Sequence, residues 1–466
     1  MSGGSLTIRD AEVGGRAGQD VRLRAGRILE VGEGLSARGL ELDAHGGALI
    51  CGLADHHVHL LATAAEADSL RLADAADAAG LAERIRAWAA RRPPGSWLRA
   101  TGYHERTAGQ LDRDDLDRLA PDHPLRVQDQ SGGLWVLNGP ALALVGAEQG
   151  PPCVERDAGG RPTGRIWRGD AWLGERIGRA FPPLARVGAA LAAKGVTAVM
   201  DASASTGPAE AQRLAEAVRS GDLPLRLGLM SAGPLEAPAD GAFSMGPVKV
   251  LLDERDLPPL GDFIGRIEAA RGWGRPVAVH CVTAAELALT LAAFEAAGAR
   301  SGDRIEHGGL VPAEAIPMIV RMALTVVTQP GFVFERGDRY RSEVDPAEHD
   351  DLYRCASLLE AGIPVAGSSD APYSAADPWA AIRAAASRAT RGGRALGLRE
   401  RIAPRTALHL FLGDLARPGG PPRRATPGAA ADLCLLKAPL ATVLDSPSSE
   451  LVAATLVDGQ VIYEAR

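Results

Sequence analysis

Short apolar runs alternate with segments of helical spacing through most of this 466-residue chain. Eight of these runs predict buried strands, at residues 48–54, 196–201, 225–230, 248–252, 277–280, 304–307, 324–328 and 363–366. The segments between them, such as 284–297 and 314–322, repeat apolar residues every three or four positions, which is typical of helices. This alternation predicts an α/β fold, and eight strand–helix units close most economically into a (β/α)8 barrel, or TIM barrel. Such a barrel carries its active site at the carboxyl ends of its strands.

The two ends of the chain show a different pattern, in which short β-like segments are separated by turns. These segments are 5–13, 21–31 and 40–43 at one end, and 431–436 and 454–463 at the other. A stretch rich in Pro and Gly, 417–429, leads into the second group. We therefore predict a composite β-sandwich domain built from residues 1–47 and 420–466, and a barrel domain at 48–419. Residues 60–193 are too long for a loop and predict an insertion after the first strand that caps the barrel mouth.

Composition narrows the classes of function. The formal net charge is -7 and 46% of the residues are hydrophobic, which is ordinary for a soluble protein and gives no support to a nucleic-acid or membrane partner. The amino terminus lacks the pattern of a secretory signal, and no apolar stretch reaches membrane-spanning length. Five scattered cysteines without a CxxC pair indicate reduced thiols. We expect a cytoplasmic protein that acts on a small molecule, and homo-oligomerisation is left open.

Lysine is rare in this chain, since only three of the 51 basic residues are Lys. Lys249 lies inside the apolar run 246–252, which predicts a buried strand where an unpaired ammonium would be costly. A buried lysine can lose its proton, and the neutral amine can take up CO2 to form a carbamate, which is a metal-bridging carboxylate. The alternative is a lysine that reaches solvent from a strand end or pairs with Asp253 or Glu254.

Residues able to bind a metal follow four other predicted strands. His57 and His59 come at the end of the first strand, and their i, i+2 spacing lets both rings face one ion. His280 ends the fifth strand, His307 ends the sixth, and Asp370 follows the eighth. A histidine at a strand end is often only hydrogen-bonded, and an aspartate after a strand is often a helix cap. Together with the lysine on strand four, however, these residues predict one metal centre at the active end of the barrel.

The ligand types predict two divalent ions bridged by the lysine carbamate, with zinc favoured by the histidine-rich set and Mn, Fe or Co as alternatives. One ion would be held by His57, His59 and Asp370, the other by His280 and His307, with the carbamate on Lys249 between them. A hydroxide shared by the two ions would be nucleophilic at neutral pH. Asp370 is the predicted catalytic proton shuttle, which accepts the proton of the hydroxide and delivers it to the leaving nitrogen.

With this ligand set the chain resembles the amidohydrolase superfamily of metal-dependent hydrolases, in the branch with a carboxylated lysine on strand four. Within that branch it is similar to the group that contains N-substituted formamide deformylase. The stretch Pro-Gly-Ala-Ala-Ala-Asp-Leu at 427–433 is similar to the family's PGxxADL motif. The resemblance implies hydrolysis of an amide-type, non-peptide C–N bond of a small molecule. Two alternatives stay open: a mononuclear deaminase of heterocycles, which needs no lysine on strand four, and a non-catalytic barrel scaffold.

Candidate substrate contacts lie in the insertion and after the seventh strand. His104, Glu105 and Trp135 belong to the insertion, whereas Gln329 and Arg336 follow strand seven at the active end of the barrel. Each of them has a structural alternative, because aromatic residues of a cap usually pack and arginines often lie in a solvated loop. If two or more arginines converged there, a substrate bearing a carboxylate would be favoured. Acyl amino acids, formamides, cyclic amides and carbamates all suit the predicted centre.

Overall fold

The computed structural model describes residues 5–36, 38–73, 75–177 and 181–465. The strands are β1 Leu6–Val13, β2 Arg16–Arg24, β3 Arg27–Gly32, β4 Leu40–Asp43, β5 Leu49–Cys51, β6 Leu53–Val58, β7 Leu70–Arg71, β8 Leu98–Tyr103, β9 Leu125–Asp129, β10 Leu134–Leu137, β11 Val154–Arg156, β12 Pro162–Trp167, β13 Val196–Asp201, β14 Arg226–Ser231, β15 Ser244–Val250, β16 Val277–Cys281, β17 Arg304–His307, β18 Thr325–Thr328, β19 Val365–Gly367, β20 Leu433–Leu436, β21 Val452–Val457 and β22 Gln460–Glu464.

The helices are α1 Leu60–Ala67, α2 Ala78–Ala89, α3 Glu105–Ala108, α4 Arg113–Leu119, α5 Gly139–Val145, α6 Asp170–Ile177, α7 Ala185–Ala192, α8 Pro208–Ser220, α9 Leu260–Gly272, α10 Ala284–Ala297, α11 Ile316–Arg321, α12 Gly331–Glu343, α13 Ala356–Glu360, α14 Pro378–Ser387, α15 Pro404–His409 and α16 Leu440–Asp445. Short 3-10 turns lie at Ala147–Gln149, Glu254–Asp256, Ala313–Ala315, Pro346–Asp351, Leu398–Glu400 and Ser449–Leu451. No helix of the described ranges is long and apolar enough to cross a membrane.

Eight parallel strands form the predicted barrel, which is confirmed. Their order is β6-β13-β14-β15-β16-β17-β18-β19, so that each strand pairs with the next one along the chain. The first and last strands meet beyond their carboxyl ends, where the N–H of Asp370 donates to the carbonyl of His57 at 2.8 Å. The N–H of His59 donates to the carbonyl of Ala371 in the same way, also at 2.8 Å. These bonds join the two ends of the sheet at the level where the candidate ligands lie.

The first predicted strand, 48–54, was wrong as one element because it spans two strands of different sheets. Leu49–Cys51 pairs antiparallel with β20 in a terminal sheet, and Leu53–Val58 is the first barrel strand. The chain changes sheets at Gly52, where an added Cβ would lie 2.1 Å from the side chain of Thr197. A continuous apolar run does not reveal such a change, because both strands are buried. His57 therefore lies inside the barrel strand, and His59 lies one residue beyond its end.

The strand carrying Lys249 is also shifted from its predicted limits. It runs from Ser244 to Val250 instead of 248–252, because its first residues pair with β14 and its last with β16. Lys249 lies opposite Ala278 in this ladder, close to the carboxyl end of the strand. The lysine is thus placed one residue from the end at which the other candidate ligands lie.

Both termini contribute to the two remaining sheets of the barrel unit, as predicted. One sheet has the order β3-β2-β1-β4, and the other has the order β22-β21-β20-β5. They share an apolar core that includes Ile8 and Val21 from the amino-terminal part and Leu433 and Leu456 from the carboxyl-terminal part. Burial of these side chains is the main force holding the two ends of the chain together.

The chain divides into two compact units, one formed by Met1–Leu60 with Leu184–Arg466 and the other by Leu61–Pro183. The second unit lies within the predicted insertion. It has a six-stranded sheet of order β11-β12-β10-β9-β8-β7 and an apolar core of its own, which includes Ile85, Leu98 and Val127.

Candidate metal centre

Three predicted ligands form a compact group at the joined ends of the barrel. His57, His59 and Asp370 each offer one ligand atom, and these atoms all lie within 4.8 Å of one another. Oδ1 of Asp370 lies 3.4 Å from Nε2 of His57 and 3.2 Å from Nε2 of His59. His57 and Asp370 are buried, whereas His59 is partly exposed. Two imidazoles and a carboxylate facing one point are a donor set that suits a divalent transition metal.

The other two histidines lie beside this group. The ring centroid of His307 is 4.8 Å from that of His57 and 4.5 Å from that of His280. Nδ1 of His307 is also 3.8 Å from Oδ2 of Asp370. The structure therefore brings the four predicted histidine ligands and the aspartate together at one end of the barrel.

Lys249 adds a buried amine to the cluster. Its side chain is only 1% exposed, and within the described residues Nζ makes no hydrogen bond. Burial lowers the pKa of Lys249, although the carboxylates of Glu306 and Asp370 oppose the shift. The pKa of His57 is well below its usual range, mainly because the ring is buried and secondly because a charge on Lys249 opposes its protonation. Burial thus makes the ammonium less favourable than it is in water, and loss of its proton gives the neutral amine that reacts with CO2.

Unsatisfied buried atoms give a test of whether a metal fits this cluster. Nε2 of His57, Oδ1 of Asp370 and Nζ of Lys249 are all buried without a hydrogen bond among the described residues. Buried polar atoms are rarely left in this state, because each costs about 1–3 kcal/mol when it loses its water without gaining a partner. A metal ion coordinated by the imidazole and the carboxylate would satisfy two of them, and a carbamate on the lysine would satisfy the third. The residues present fit the predicted group.

Backbone conformation directs two of the ligands. His307 has a φ of 71° and Asp370 a φ of 56°, both in the left-handed region that residues other than glycine seldom adopt. Strand alternation alone would place His307 on the opposite face from Glu306, which contacts His57 inside the barrel. The left-handed conformation at the strand end instead brings its ring against the His57 ring. Strained backbone of this kind is concentrated at functional sites.

Glu306 and Arg304 are site residues that sequence reasoning missed. Glu306 is fully buried, accepts a hydrogen bond from Nε of Arg304, and contacts Nδ1 of His57 through its other oxygen. The sequence did contain a signal for this pair, namely opposite charges at i and i+2 in a buried strand. Side chains with this spacing lie on the same face of the strand, and buried charges need a partner. The partner of Glu306 could not be inferred, since His57 lies 249 residues away along the chain.

Two further acidic residues, also missed, orient the ligand segments. Asp55 accepts hydrogen bonds from the Ser369 hydroxyl, from the Ser369 N–H at 3.0 Å and from the His57 N–H at 3.2 Å. Burial raises the pKa of Asp55 to about 6, against the effect of these bonds. Asp201 accepts from the N–H of Ser203 at 3.0 Å, and the hydroxyl of Ser203 lies 3.0 Å from Nδ1 of His59. These contacts position the segments that carry His57, His59 and Asp370.

The predicted substrate contacts in the insertion all have partners within their own compact unit. Nδ1 of His104 accepts a backbone N–H at the start of α3, and Glu105 lies 3.3 Å from Arg165. Trp135 is buried, and its indole N–H donates to Asp170 at 2.8 Å. Contact of these residues with a substrate stays a prediction.

The two predicted contacts after strand seven lie in the barrel unit. Gln329 is fully buried, with Oε1 2.9 Å from Nδ1 of His307. Arg336 is half-buried on helix α12, with its guanidinium carbon 4.1 Å from the ring centroid of Phe332. Its Nη2 donates to the carbonyl of Tyr373 at 2.7 Å, and the ring of Tyr373 packs edge-on against that of His59. Arg336 is thereby linked to the surroundings of the metal ligands.

The neighbouring arginines do not converge with Arg336. Arg339 pairs with Glu343 at 3.0 Å, and Arg341 donates to the carbonyl of Ala395 at 2.6 Å. Among the residues that the structure describes, no carboxylate lies within 4.0 Å of the Arg336 guanidinium. The convergence of two arginines that would favour a substrate carboxylate is therefore not observed.

Comparison with known proteins places this centre in a family. The model of the amidohydrolase family matches residues 40–463. N-substituted formamide deformylase of Arthrobacter pascens is 26% identical over 530 residues, covering 99% of this chain and 97% of the relative. An uncharacterized metal-dependent hydrolase from Pyrococcus horikoshii has the same fold, with a TM-score of 0.74 at 18% identity and coverage of 98% and 99%. N-isopropylammelide isopropylaminohydrolase from Burkholderia multivorans shares the fold at a TM-score of 0.55, with 18% identity and 98% coverage of both chains.

The family match spans the barrel together with most of the two terminal sheets, so it includes every candidate metal ligand. It confirms the resemblance that the ligand motifs indicated. The chain therefore belongs to the amidohydrolase family and is a hydrolase.

Proposed function

We propose that this protein hydrolyses an amide-type, non-peptide C–N bond of a small molecule, using metal ions held at the carboxyl end of the barrel. The observation that carries the proposal is a cluster of buried ligand atoms that have no hydrogen-bond partner among the described residues, namely Nε2 of His57, Oδ1 of Asp370 and Nζ of Lys249. Support for the reaction class comes from the formamide deformylase relative, which aligns with almost the entire chain.

The proposed centre has two ion positions. His57, His59 and Asp370 would hold one ion, His280 and His307 the other, and a carbamate on Lys249 would join them. The carbamate forms when the neutral Nζ attacks CO2 and releases a proton, so that the side chain gains a carboxylate. The lowered pKa of Lys249 supports this modification, as does the lack of a hydrogen bond to Nζ from any residue that the structure describes.

Two divalent ions, proposed as zinc with Mn, Fe or Co as alternatives, would supply Lewis acidity for the carbonyl group and an activated water. Asp370 is the proposed proton carrier. Its Oδ1 faces His57 and His59, which leaves Oδ2 to take the proton from the attacking water and pass it to the leaving nitrogen. The bond from its N–H to the His57 carbonyl fixes the carboxylate for this transfer.

The proposal is tested by measuring metal content and activity together. Purified protein reconstituted separately with Zn, Mn, Fe or Co is screened against N-formyl, N-acyl, cyclic-amide and carbamate compounds, with amine release as the readout. We expect two ions per chain and turnover of at least one amide class. A fully active preparation with one ion per chain would favour the mononuclear deaminase of heterocycles. A chain that binds no metal and turns over nothing would contradict the proposal.

A further inference from the structure

Gln329 lies in a hydrogen-bonded chain that ends at a backbone carbonyl. Nδ1 of His307 lies 2.9 Å from Oε1 of Gln329, and Nε2 of Gln329 lies 2.9 Å from the hydroxyl of Ser368. That hydroxyl lies 3.1 Å from the carbonyl oxygen of Thr328. All three side chains and the carbonyl are buried, so water does not compete for these bonds.

The direction of every bond in this chain is determined. A carbonyl oxygen can only accept, so the single hydroxyl proton of Ser368 is donated to Thr328. The Ser368 oxygen must then accept, which requires the amide nitrogen of Gln329 to face it. The amide oxygen of Gln329 consequently faces His307 and can only accept. Nδ1 of His307 therefore carries the proton, and Nε2 is left with its lone pair.

A second chain imposes the same tautomer on His57. Arg304 can only donate, and it donates to one oxygen of Glu306. The other oxygen accepts from Nδ1 of His57, which leaves the lone pair on Nε2, 3.4 Å from Oδ1 of Asp370. Two ligand histidines from different strands are thus held in one tautomer by unrelated sets of residues.

We propose that Gln329 is a positioning residue that holds His307 with Nδ1 protonated and Nε2 available to a metal ion, and that Glu306 does the same for His57. The inference rests on the proposed metal-dependent function and assigns Gln329 a role other than the predicted substrate contact. Both ends of its amide are engaged in the chain, and its side chain has no exposed surface. Partners of this kind fix the ring orientation and the protonated nitrogen of metal-binding histidines.

Two substitutions separate this role from simple packing. Gln329→Leu keeps the approximate volume but removes the acceptor for Nδ1–H, and we expect zinc affinity to fall about 10–100-fold. Gln329→Glu keeps an acceptor facing His307, and we expect it to retain zinc affinity close to that of the original protein. Ser368→Ala frees the amide to turn, which should give an intermediate loss. Gln19→Leu, at a buried glutamine of the terminal sheet, is the matched control and should leave zinc affinity unchanged.

Zinc affinity is measured by competition between the full-length holoenzyme and a chromophoric chelator. Histidine-selective 15N NMR is the second readout, because two-bond correlations identify which ring nitrogen carries the proton. We expect His307 in the Nδ1–H form in the original protein and in Gln329→Glu. If Gln329→Leu does not fold, Ser368→Ala and the NMR assignment still decide the question.

Two results would overturn the inference. One is a folded Gln329→Leu protein with unchanged zinc affinity, and the other is a His307 ring protonated on Nε2 in the original protein. Failure of the original protein to bind zinc or any of the other metals is a different outcome, because it would remove the proposed function itself. Zinc binding by the original protein, with lower affinity in Gln329→Leu than in Gln329→Glu, would support both the proposed function and the role of Gln329.

Discussion

The N–H of Asp370 donates a 2.8 Å hydrogen bond to the carbonyl of His57, which ties the segment after the last barrel strand to the end of the first. Both residues also supply candidate metal ligands, with Oδ1 of Asp370 3.4 Å from Nε2 of His57. The same contact therefore completes the barrel and sets the distance between two ligands. Asp55 reinforces it by accepting from the Ser369 N–H and the His57 N–H. Closure of the barrel thus brings these two candidate ligands together.

Substitution of Lys249 should remove the proposed bridging ligand. In Lys249→Met we expect loss of metal and of turnover, because no carbamate can form on the thioether side chain. The carbamate itself is measured by 13C NMR after equilibration with labelled CO2, as a signal that is absent from Lys249→Met. Lys194→Met is the matched control, since Lys194 is partly buried but its Nζ donates to the Ala376 carbonyl at 2.6 Å. We expect Lys194→Met to keep the carbamate signal, and a signal that persists in Lys249→Met would contradict the assignment.

Asp370→Asn should separate proton transfer from metal binding. The amide oxygen can still face His57 and His59, but the side chain no longer accepts the proton of the attacking water. We expect kcat to fall about 10²–10⁴-fold, the usual contribution of a general acid–base group, with a much smaller change in metal content. Steady-state kinetics and metal analysis are made on the same preparation. Asp262→Asn, at an exposed aspartate of helix α9, serves as control. Full turnover by Asp370→Asn would exclude the proposed proton carrier.

Besides Gln329, Arg336 is the other predicted substrate contact in the barrel unit, and it reaches the surroundings of His59 through Tyr373. Arg336→Gln removes the bond to the Tyr373 carbonyl and a cation that has no carboxylate within 4.0 Å among the described residues. We expect KM to rise by about one order of magnitude with kcat little changed, as for loss of a charged hydrogen bond in binding. Arg339→Gln is the control because Arg339 pairs with Glu343 on the same helix. Equal effects of the two substitutions would rule out a specific contact.

Asp20 should make the stability of the terminal sheets depend on pH. Burial opposes ionisation of Asp20, but hydrogen bonds from Arg9 and from the N–H groups of Asp10 and Leu35 lower its pKa below the usual value. A carboxylate whose pKa is lowered by folding stabilises the protein at pH values above its unfolded-state pKa, which is near 3.9. This contribution is lost as the pH falls through its folded-state pKa. We expect Asp20→Asn to cost about 1–3 kcal/mol of unfolding free energy at neutral pH, with a smaller difference from the original protein below about pH 4. Urea denaturation at pH 7 and pH 3.5 measures both values.

Much of the fold could be predicted because buried parallel strands are apolar on both faces and stand out as continuous runs. The strand at Arg304–His307 was predicted with its observed limits, and the barrel follows from the number of such runs. The error at 48–54 has the same origin. An apolar run that is buried in two successive sheets does not reveal where the chain passes from one sheet to the other. The requirement for glycine at Gly52 becomes visible only in the structure, where the residue lies against Thr197.

The sequence by itself determined the barrel, the terminal sheets and the set of polar residues at strand ends, because local apolar patterning and strand-end position are properties of neighbouring residues. Only the tertiary structure decided how those residues are oriented. The contact of His57 with Glu306 and that of Gln329 with His307 join residues on different strands, and the left-handed turn at His307 brings its ring toward the other ligands. Hydrogen-bond direction, burial and backbone strain arise from side chains that meet through space, so they exist only once the barrel has closed.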